Sequence, residues 1–450
     1  MKFDTPEQLE VYLEQAGIRF FKLAVVDIDG VLRGKYVNQS KFRSALRDGF
    51  GMCDVVLGWD CADQLYDNTD LVGLHTGYRD APVRLDLGTV RRLPLEEDTV
   101  LVLGQFEGAY SGACPRGLLG RILERAAAAG FSVEAAFEYE FFVFEETPES
   151  VREKGYRNLK PLTPGMFGYS MLRSGVHADL YHQLATAMEE LEADIEGLHT
   201  ETGPGVVEAA LSHRPALEAA DRAALFKTYT KVLLQRAGLM GTFMAKWNSD
   251  YPGQSGHCHI SLTNAAGQNV FYDPSGDGLS ETFRHFAAGQ ALLLPDVLAM
   301  VCSTVNAYRR LVPGTWAPTH ANWGIENRTT AIRAIPAGPS GARSEYRIGP
   351  ADGNPYLVLA AALATGLYGI EHKLELAAVT GNAYENPGPG APELPTSLAL
   401  ATQRFLESKV TRELFGEAFV THFSQTRIWE DRAARRYVSD FDLARYFEII

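Results

Sequence analysis

The segment FSVEAAFEYEFFVFEE (131–146) constrains the fold of this 450-residue chain more than any other. Its alternating aromatic and small residues are typical of a β-strand, in which side chains two positions apart point to the same side. Glu138 and Glu140 would then lie side by side, next to Phe142 and Phe144. Two like charges in an apolar environment are costly unless they are neutralised, and a divalent cation with oxygen ligands would neutralise them. The alternative is a solvated strand edge, because Glu-x-Glu is a common pattern.

Composition limits the class of protein. A chain of 450 residues exceeds the usual size of one hydrophobic core, so we expect at least two domains. The net charge of −14 argues against a nucleic-acid partner, which binds positive surfaces. The 5 cysteines are widely spaced, which favours free thiols and a cytoplasmic location over disulfides or a zinc site. The longest uncharged run, 356–370, has 15 residues, so it predicts a buried helix and no membrane partner.

Patterns along the chain suggest where the domains divide. In the first hundred residues, short strand-like runs around one helical pattern predict a small α+β domain. A stretch of small and turn residues, GQFEGAYSGACPRG (104–117), is typical of a linker. The remaining part alternates strands and helices, with one helix expected over 215–237. We therefore expect domains at 1–105 and 106–450, with Thr5 capping a helix at the start of the first.

Two motifs downstream carry further candidate metal ligands. Glu201 and Glu208 flank TGPGVV, whose Gly-Pro-Gly predicts a tight turn between extended arms. A hairpin there would bring both carboxylates together. His257 and His259, in GHCHISL, share one face of a predicted strand. They fit either a metal site or a hydrogen-bonded pair within the core.

Arginines are concentrated in three later motifs, RRLVPG, ENRTTAIRAIP and GARSEYRIGP. In the last of these, Arg343, Glu345 and Arg347 alternate and so share one face of a predicted strand. Planar guanidinium groups bind phosphate and carboxylate oxygens through paired hydrogen bonds. Carboxylates for metal ions combined with arginines for anions suit phosphoryl transfer. Neither GxxxxGK[ST] nor GxGxxG occurs, so an ATP site here would need another design.

The order of these motifs resembles the glutamine synthetase superfamily. EYEFF, ETGPGVVE, GHCHISL, RLVPG, NRTTAIR and RSEYRIGPADGNPY follow one another as in that family, and the ending ARYFEII is similar to the branch that acts on organic amines. The resemblance implies an α+β fold, with a small N-terminal β-grasp domain and a large catalytic domain on a curved antiparallel sheet. It also implies hexameric rings, usually stacked into a dodecamer, in which a neighbour's N-terminal domain completes each active site.

The resemblance assigns roles to residues in each motif. The ligands of a first Mg²⁺ or Mn²⁺, near the acid substrate, would be Glu140, Glu201 and Glu208. Those of a second, near the ATP phosphates, would be Glu138, His257 and Glu345. Arg310, Arg347 and Gly253 would hold glutamate, and Arg328 would face the transferring phosphoryl group. The nucleotide would contact Glu196, His259, Ser261, Arg333 and Arg343. Glutamate would attack ATP to give an acyl phosphate, from which an amine would displace phosphate.

The amine pocket departs from the pattern of ammonia-using members. Their flap reads RLVPGYEAP, and its Glu helps to take a proton from ammonium, whereas this chain has Trp316 at that position. Their N-terminal Asp-Gly-Ser-Ser, which supplies an ammonium-binding Asp, is absent; Asp54 and Asp60 are candidate replacements, beside Trp59. Tyr169 matches a tyrosine of the ammonium pocket. Less charge and more aromatic surface favour an organic amine, and a monoamine over a polyamine.

Other functions are also compatible with parts of the sequence. Trp316 would only pack the flap if the chain were an ammonia-using glutamine synthetase. A non-catalytic structural or regulatory relative is disfavoured, because every metal-ligand position is filled and clustered carboxylates without a cation are costly. A guanidino phosphotransferase shares the catalytic fold but lacks the N-terminal domain expected here.

Overall fold

A six-stranded mixed sheet occupies the N-terminal part of the chain. The structure is a computed structural model that describes residue 3 and residues 5–450. The order of the main path is β2-β1-β6-β4-β3, with β5 paired to β6 and β1 parallel to β6. The strands are β1 (Phe20–Val26), β2 (Leu32–Val37), β3 (Phe50–Cys53), β4 (Asp80–Leu85), β5 (Arg91–Leu93) and β6 (Glu96–Phe106).

Two helices, α1 (Pro6–Gln15) and α2 (Gln39–Asp48), accompany this sheet. Thr5 caps α1 as predicted, because its hydroxyl accepts a hydrogen bond from the backbone N–H of the third helical residue at 3.3 Å. Phe42 of α2 stacks on Phe21 of β1, with ring centroids 4.5 Å apart. Both rings belong to an apolar cluster separate from the larger core. The predicted small α+β unit is therefore present, whereas the boundary at residue 105 stays a prediction.

A nine-stranded sheet forms the centre of the larger part, in the order β13-β14-β15-β12-β7-β9-β8, with β10 and β11 also paired to β7. All of its pairs are antiparallel except β13–β14, which is parallel, so the expected antiparallel sheet is confirmed apart from one edge. The strands are β7 (Ser132–Phe144), β8 (Ile195–Thr200), β9 (Val206–Leu211), β10 (Arg214–Pro215), β11 (Met240–Thr242), β12 (Gly256–Thr263), β13 (Trp323–Ile325), β14 (Ile332–Ile335) and β15 (Arg343–Tyr346).

Helices flank this sheet, and the longest are buried. They are α3 (Pro115–Ala128), α4 (Pro148–Glu153), α5 (Met171–Val176), α6 (Ala178–Glu190), α7 (Ala216–Arg236), α8 (Glu281–Val301), α9 (Pro355–Glu371), α10 (Leu398–Glu407), α11 (Lys409–Phe415), α12 (Glu417–Arg435) and α13 (Asp440–Tyr446). α9 is the buried helix expected at 356–370. It touches α8 so closely that a Cβ on Gly289 would lie 2.6 Å from the Gly369 Cα. In the described part of the chain, no helix is long and apolar enough to cross a membrane.

Strand β7 separates the apolar core from the face that carries the acidic residues. Its Tyr139 and Phe141 are buried and pack against Phe226 of α7. The alternate residues Glu138 and Glu140 therefore point away from the core, as the sequence predicted. Burial of each large apolar side chain contributes roughly 1.5–3 kcal/mol, and this fixes which face of the strand is turned outward.

Lys227 lies behind this sheet and is largely shielded from solvent. Lys227 of α7 donates a hydrogen bond to the carbonyl of Gly353 at 3.0 Å, and its ammonium lies 5.4 Å from the centroid of the Tyr139 ring. Burial lowers the pKa of Lys227 to about 7, repulsion from Lys231 adds to this shift, and Asp352 opposes it. The unfolded chain would keep the ordinary lysine pKa near 10.4.

The buried lysine makes stability depend on alkaline pH. Between its folded and unfolded pKa values the unfolded chain binds more protons, so stability rises with pH over that interval. From pH 7.5 to 9.5 we expect the unfolding free energy of the wild type to increase by about 2 kcal/mol relative to Lys227→Met. Urea denaturation of both proteins at several pH values measures this difference. Parallel pH profiles would show that Lys227 keeps an ordinary pKa.

Candidate active site

The register of the nine-stranded sheet aligns acidic and histidine side chains on one face. Glu140 of β7 lies opposite Glu208 of β9. On its other side, β7 places Glu138 opposite His257 of β12. Directly opposed residues in an antiparallel pair have Cβ atoms about 5 Å apart. Residues from distant parts of the sequence are thus brought into contact by strand pairing alone.

One candidate metal group lies at β7, β12 and β15 and corresponds to the metal predicted near ATP; we call it the first metal group. Ligand atoms of Glu138, His259 and Glu345 all lie within 4.8 Å of one another. His257 is next to them, with Nδ1 3.4 Å from a Glu138 oxygen and 3.3 Å from a Glu345 oxygen. The residues predicted for the metal near ATP therefore come together. The structure adds His259, for which the family resemblance had implied a nucleotide contact.

The other candidate metal group lies on the β8–β9 hairpin and contains two of the ligands predicted for the metal near the acid substrate; we call it the second metal group. Ligand atoms of His199, Glu201 and Glu208 lie within 4.8 Å of one another. The predicted tight turn joins the two strands, and Gly205 in it has a φ of +69°, which favours glycine. Glu140 is outside this group; its carboxylate accepts a hydrogen bond from the Ser255 backbone N–H at 2.6 Å.

His199 is a candidate ligand that the sequence analysis missed. Its Nδ1 lies 3.1 Å from the Thr200 carbonyl and its Nε2 lies 3.2 Å from a Glu208 oxygen. Donation from Nδ1 to the carbonyl leaves Nε2 as the nitrogen able to bind a cation. The signal was present, because His199 precedes Glu201 by two residues and so shares its face of an extended strand.

Crowding of like charges dominates the electrostatics of this face. Burial raises the pKa of Glu208, and a hydrogen bond with Glu138 and the charge of Glu140 raise it further. Burial opposes ionisation of Glu138 as well, but hydrogen bonds from His257 and His259 outweigh it and hold the pKa of that carboxyl below its usual range. The crowding therefore favours the protonated form of Glu208, and a divalent cation would compete with that proton.

The arginines predicted to bind glutamate lie beside this face and are buried. Arg310 donates hydrogen bonds to the Ile348 carbonyl at 3.0 Å and to the Ser255 hydroxyl at 2.9 Å. Gly253 lets the chain pass close to it, because a Cβ there would lie 2.7 Å from the Arg310 Cγ. Arg347 pairs with Glu345, whereas its buried Nε has no partner among the described residues.

The residues predicted for ATP occupy the β14–β15 edge and nearby strands. Arg333 binds Glu345 at 3.0 Å, and Arg343 Nε donates to His259 Nδ1 at 3.2 Å. Arg328 is exposed on the turn between β13 and β14. Ser261 is half-buried in β12, and Glu196 is exposed in β8. Arg333 and Arg343 thus lie next to the first metal group, whereas Glu196 lies on the strand at the other end of the sheet order, and the individual nucleotide contacts stay predictions.

Two aromatic residues of the predicted amine pocket project from loops. Tyr169 stacks on the ring of His199, with centroids 4.3 Å apart, and so covers the second metal group. Trp316 is 57% exposed, and both residues have a left-handed backbone, with φ values of +55° and +59°. Such a conformation costs about 1–2 kcal/mol for a residue with a side chain. Both loops thus keep a residue in an unfavourable backbone conformation. Such strained residues are often found at functional sites.

The N-terminal candidates for the amine pocket have internal partners instead. Asp54 is fully buried and accepts a hydrogen bond from the Tyr110 hydroxyl at 2.9 Å. Asp60 accepts hydrogen bonds from two backbone N–H groups of its own turn, each at 2.8 Å. The Trp59 ring lies under the guanidinium of Arg33, 4.9 Å away. The other Asp54 oxygen, Oδ1, is buried and has no hydrogen-bond partner among the described residues, and the role of both carboxylates in the amine pocket stays a prediction.

Comparison with known sequences identifies the family. A sequence model described as "Glutamine synthetase, catalytic domain" matches residues 112–446. The chain belongs to the glutamine synthetase family of ATP-dependent ligases. Members of this family use ATP and divalent metals and bind glutamate together with ammonia or an amine.

Individual relatives include users of different nitrogen donors. Type-1 glutamine synthetase 2 of Dictyostelium discoideum is 44% identical, over 96% of this chain and 84% of that protein. The glutamate–isopropylamine ligase of a Pseudomonas species is 37% identical, over 98% of this chain and 97% of that protein. The gamma-glutamylethanolamide synthetase GlnA4 of Streptomyces coelicolor is 34% identical, over 98% and 95%. A solved structure of GmaS with ADP superposes with a TM-score of 0.85 at 26% identity, covering 98% of this chain and 99% of that one.

We expect Mn²⁺ to stabilise the folded wild-type protein against thermal unfolding, and we expect the substitution Glu208→Gln to abolish most of this effect. A glutamine resembles the protonated carboxyl that the crowded site favours. The substitution should therefore change the unfolding free energy of the metal-free protein by less than about 1 kcal/mol. At an Mn²⁺ concentration of about 100 times its dissociation constant, binding should raise the unfolding free energy of the wild type by about 2.7 kcal/mol. Thermal melts with and without MnCl₂ measure both effects.

Glu134→Gln is the matched control for this experiment. Glu134 lies in β7 as well, but its ion pair is with His213 and it belongs to neither metal group. Its Mn²⁺-dependent shift should equal that of the wild type. An undiminished shift in Glu208→Gln would contradict the assignment of Glu208 as a metal ligand.

Proposed function

We propose that this protein joins the γ-carboxylate of glutamate to an organic amine at the expense of ATP, forming a γ-glutamylamide. The observation that carries the amine assignment is Trp316, an exposed indole at the flap position where ammonia-using members have Glu. An indole cannot accept a proton from ammonium, but it can pack against an apolar group or face a cation. Two of the relatives named above are ligases for organic amines.

The metal groups and arginines support the ligation chemistry. Mg²⁺ or Mn²⁺ fits the two sets of carboxylates and imidazoles, and would neutralise the phosphate charge of ATP. Arg333 and Arg343 would bind the nucleotide phosphates, and Arg328 the phosphoryl group in transfer. Arg310 and Arg347 would hold glutamate so that its γ-carboxylate attacks the terminal phosphate. Phosphorylation converts this carboxylate into an acyl phosphate, from which the amine displaces phosphate.

The surroundings of the amine favour a monoamine with an apolar substituent. Tyr169 and Trp316 offer aromatic surface, and Trp316 stands where ammonia-using members have Glu. A second ammonium group of a polyamine would therefore lack that carboxylate as a partner. Ammonia remains the second candidate, because a relative called a glutamine synthetase is 44% identical to this chain.

We also infer an N-terminal domain ending near residue 105 and a ring-shaped assembly of the kind that the family resemblance implies. Support for self-association comes from apolar residues that a single chain leaves exposed at its C-terminal end. Phe441 is 64% exposed, and Phe447 is 84% exposed. Clustered apolar residues of this kind mark protein–protein contacts. The two candidate metal groups argue against a non-catalytic relative, because crowded carboxylates without a cation are costly.

An amine panel tests the proposed function. With glutamate, ATP and Mg²⁺ we expect phosphate release to be fastest with a small aliphatic or aromatic monoamine. Its kcat/KM should exceed that of ammonia by at least about tenfold, which corresponds to about 1.4 kcal/mol of differential transition-state binding. Mass spectrometry should detect the γ-glutamylamide. The proposal is wrong if ammonia has the highest kcat/KM of the panel.

The flap substitution Trp316→Glu should shift the preference toward ammonia. A carboxylate at this position restores a proton acceptor and a counter-charge for ammonium while removing aromatic surface. We expect the ratio of kcat/KM for ammonia to that for the best amine to rise by about tenfold or more, on the scale of one charge-assisted contact. Leu400→Glu, an equally exposed apolar position on α10, is the control and should leave the ratio unchanged. An unchanged ratio in Trp316→Glu would show that the indole only packs the flap.

A further inference from the structure

Arg328 lies on the turn between β13 and β14, and its side chain is not fixed by contacts of its own. The guanidinium is exposed and makes neither a hydrogen bond nor an ion pair within the described part of the chain. Its direction is therefore decided by the backbone of the turn. This backbone is strained, because Glu326 has a φ of +49°, which residues with a side chain rarely adopt. A strained turn keeps its shape only when neighbouring contacts hold it.

The two residues that flank Arg328 close the turn with their side chains. The Asn327 side-chain oxygen accepts a hydrogen bond from the Thr329 backbone N–H at 3.0 Å. The same oxygen accepts a second hydrogen bond from the Thr329 hydroxyl at 2.6 Å. An Asn oxygen that bonds the N–H two residues further on is a common way of fixing a turn. The backbone of Arg328 is thus enclosed between two linked side chains.

The same two side chains fasten the turn to the irregular segment 372–397, which joins α9 to α10. The Asn327 side-chain amide donates to the Gly381 carbonyl at 2.9 Å. The Thr329 hydroxyl accepts a hydrogen bond from the Ala383 backbone N–H at 3.0 Å. The segment itself is bound to β13, because the Val379 backbone N–H donates to a β13 carbonyl at 2.8 Å. The turn is therefore held from outside by a part of the chain that is distant in sequence.

We propose that Asn327 and Thr329 are positioning residues, which hold the turn so that Arg328 meets the phosphoryl group as it passes from ATP to the acid. This inference rests on the proposed function, because it uses the role given there to Arg328. Charges stabilise a transition state best when they are already in place, and a misplacement of about 1 Å can lower the rate by about 100-fold. In this role both residues act through Arg328 and not through contact with the substrates.

Thr329→Val keeps the branched shape of the side chain and removes its hydroxyl, and with it the hydrogen bonds to Asn327 and from Ala383. We expect kcat to fall by about tenfold or more. The KM for glutamate should stay within about twofold, because Arg310 and Arg347 lie on other elements. Thr329→Ser restores the hydroxyl and should return kcat to within about threefold of the wild type. Phosphate release is measured with the nitrogen donor, ammonia included, that gives the highest rate.

Thr421→Val is the matched control for the loss of a threonine hydroxyl. Thr421 is also half-buried, and on α12 its hydroxyl donates to a Glu417 oxygen at 3.1 Å. This variant should keep the wild-type kcat and KM. An unchanged kcat in Thr329→Val overturns the inference. A Thr329→Ser variant as slow as Thr329→Val also overturns it, because the hydroxyl would then not be what holds the turn.

Hydrogen exchange separates this inference from the proposed function, because it requires neither substrates nor turnover. In Thr329→Val we expect amide hydrogens in peptides covering 326–331 and 379–385 to exchange at least about tenfold faster, since both segments lose a shared contact. Peptides from β12 should exchange as in the wild type. If the wild type forms no amide with any amine or ammonia, the proposed function fails, and faster exchange in both segments still supports the positioning role. Unchanged exchange in the Arg328 turn overturns that role.

Discussion

Repulsion among carboxylates on one face of β7 is the constraint on which the rest of the site depends. The aromatic residues of β7 occupy the core, so Glu138 and Glu140 must face the opposite side, where pairing with β9 adds Glu208. Nearby histidines and arginines relieve part of the repulsion, and burial together with the neighbouring carboxylates raises the pKa of Glu208. Divalent cations, which the family uses, would neutralise the remaining charge. Strand pairing is thus what places the candidate metal ligands next to one another.

Local patterns predicted the elements of this sheet, and long-range contacts produced the features that were not predicted. The alternation in β7 and the Gly-Pro-Gly turn before Glu208 are written in short segments, so their structures follow from backbone geometry alone. The same rule applied to β8 would have revealed His199. Asp54 is different, because its burial against Tyr110 depends on how separate strands fold together.

Chemistry and specificity reside in different parts of the molecule. The metal groups lie on paired strands, whose register fixes distances between ligands. Tyr169 and Trp316 lie on loops in a left-handed conformation, where a substitution changes the pocket without moving the sheet. Under the proposed function, such a division would let members of one fold differ in nitrogen donor while keeping the same sheet. Among the relatives are a protein called a glutamine synthetase and one called a glutamate–isopropylamine ligase.

Oxygen transfer from the acid to phosphate tests the central claim most directly, namely that this face phosphorylates a carboxylate before an amine attacks it. Glutamate labelled with ¹⁸O in its γ-carboxylate is incubated with ATP, Mg²⁺ and the best amine, and the released phosphate is analysed by mass spectrometry. The account predicts one labelled oxygen in each phosphate, together with an equal amount of γ-glutamylamide. Phosphate without label would show that water attacks ATP, and would contradict the account.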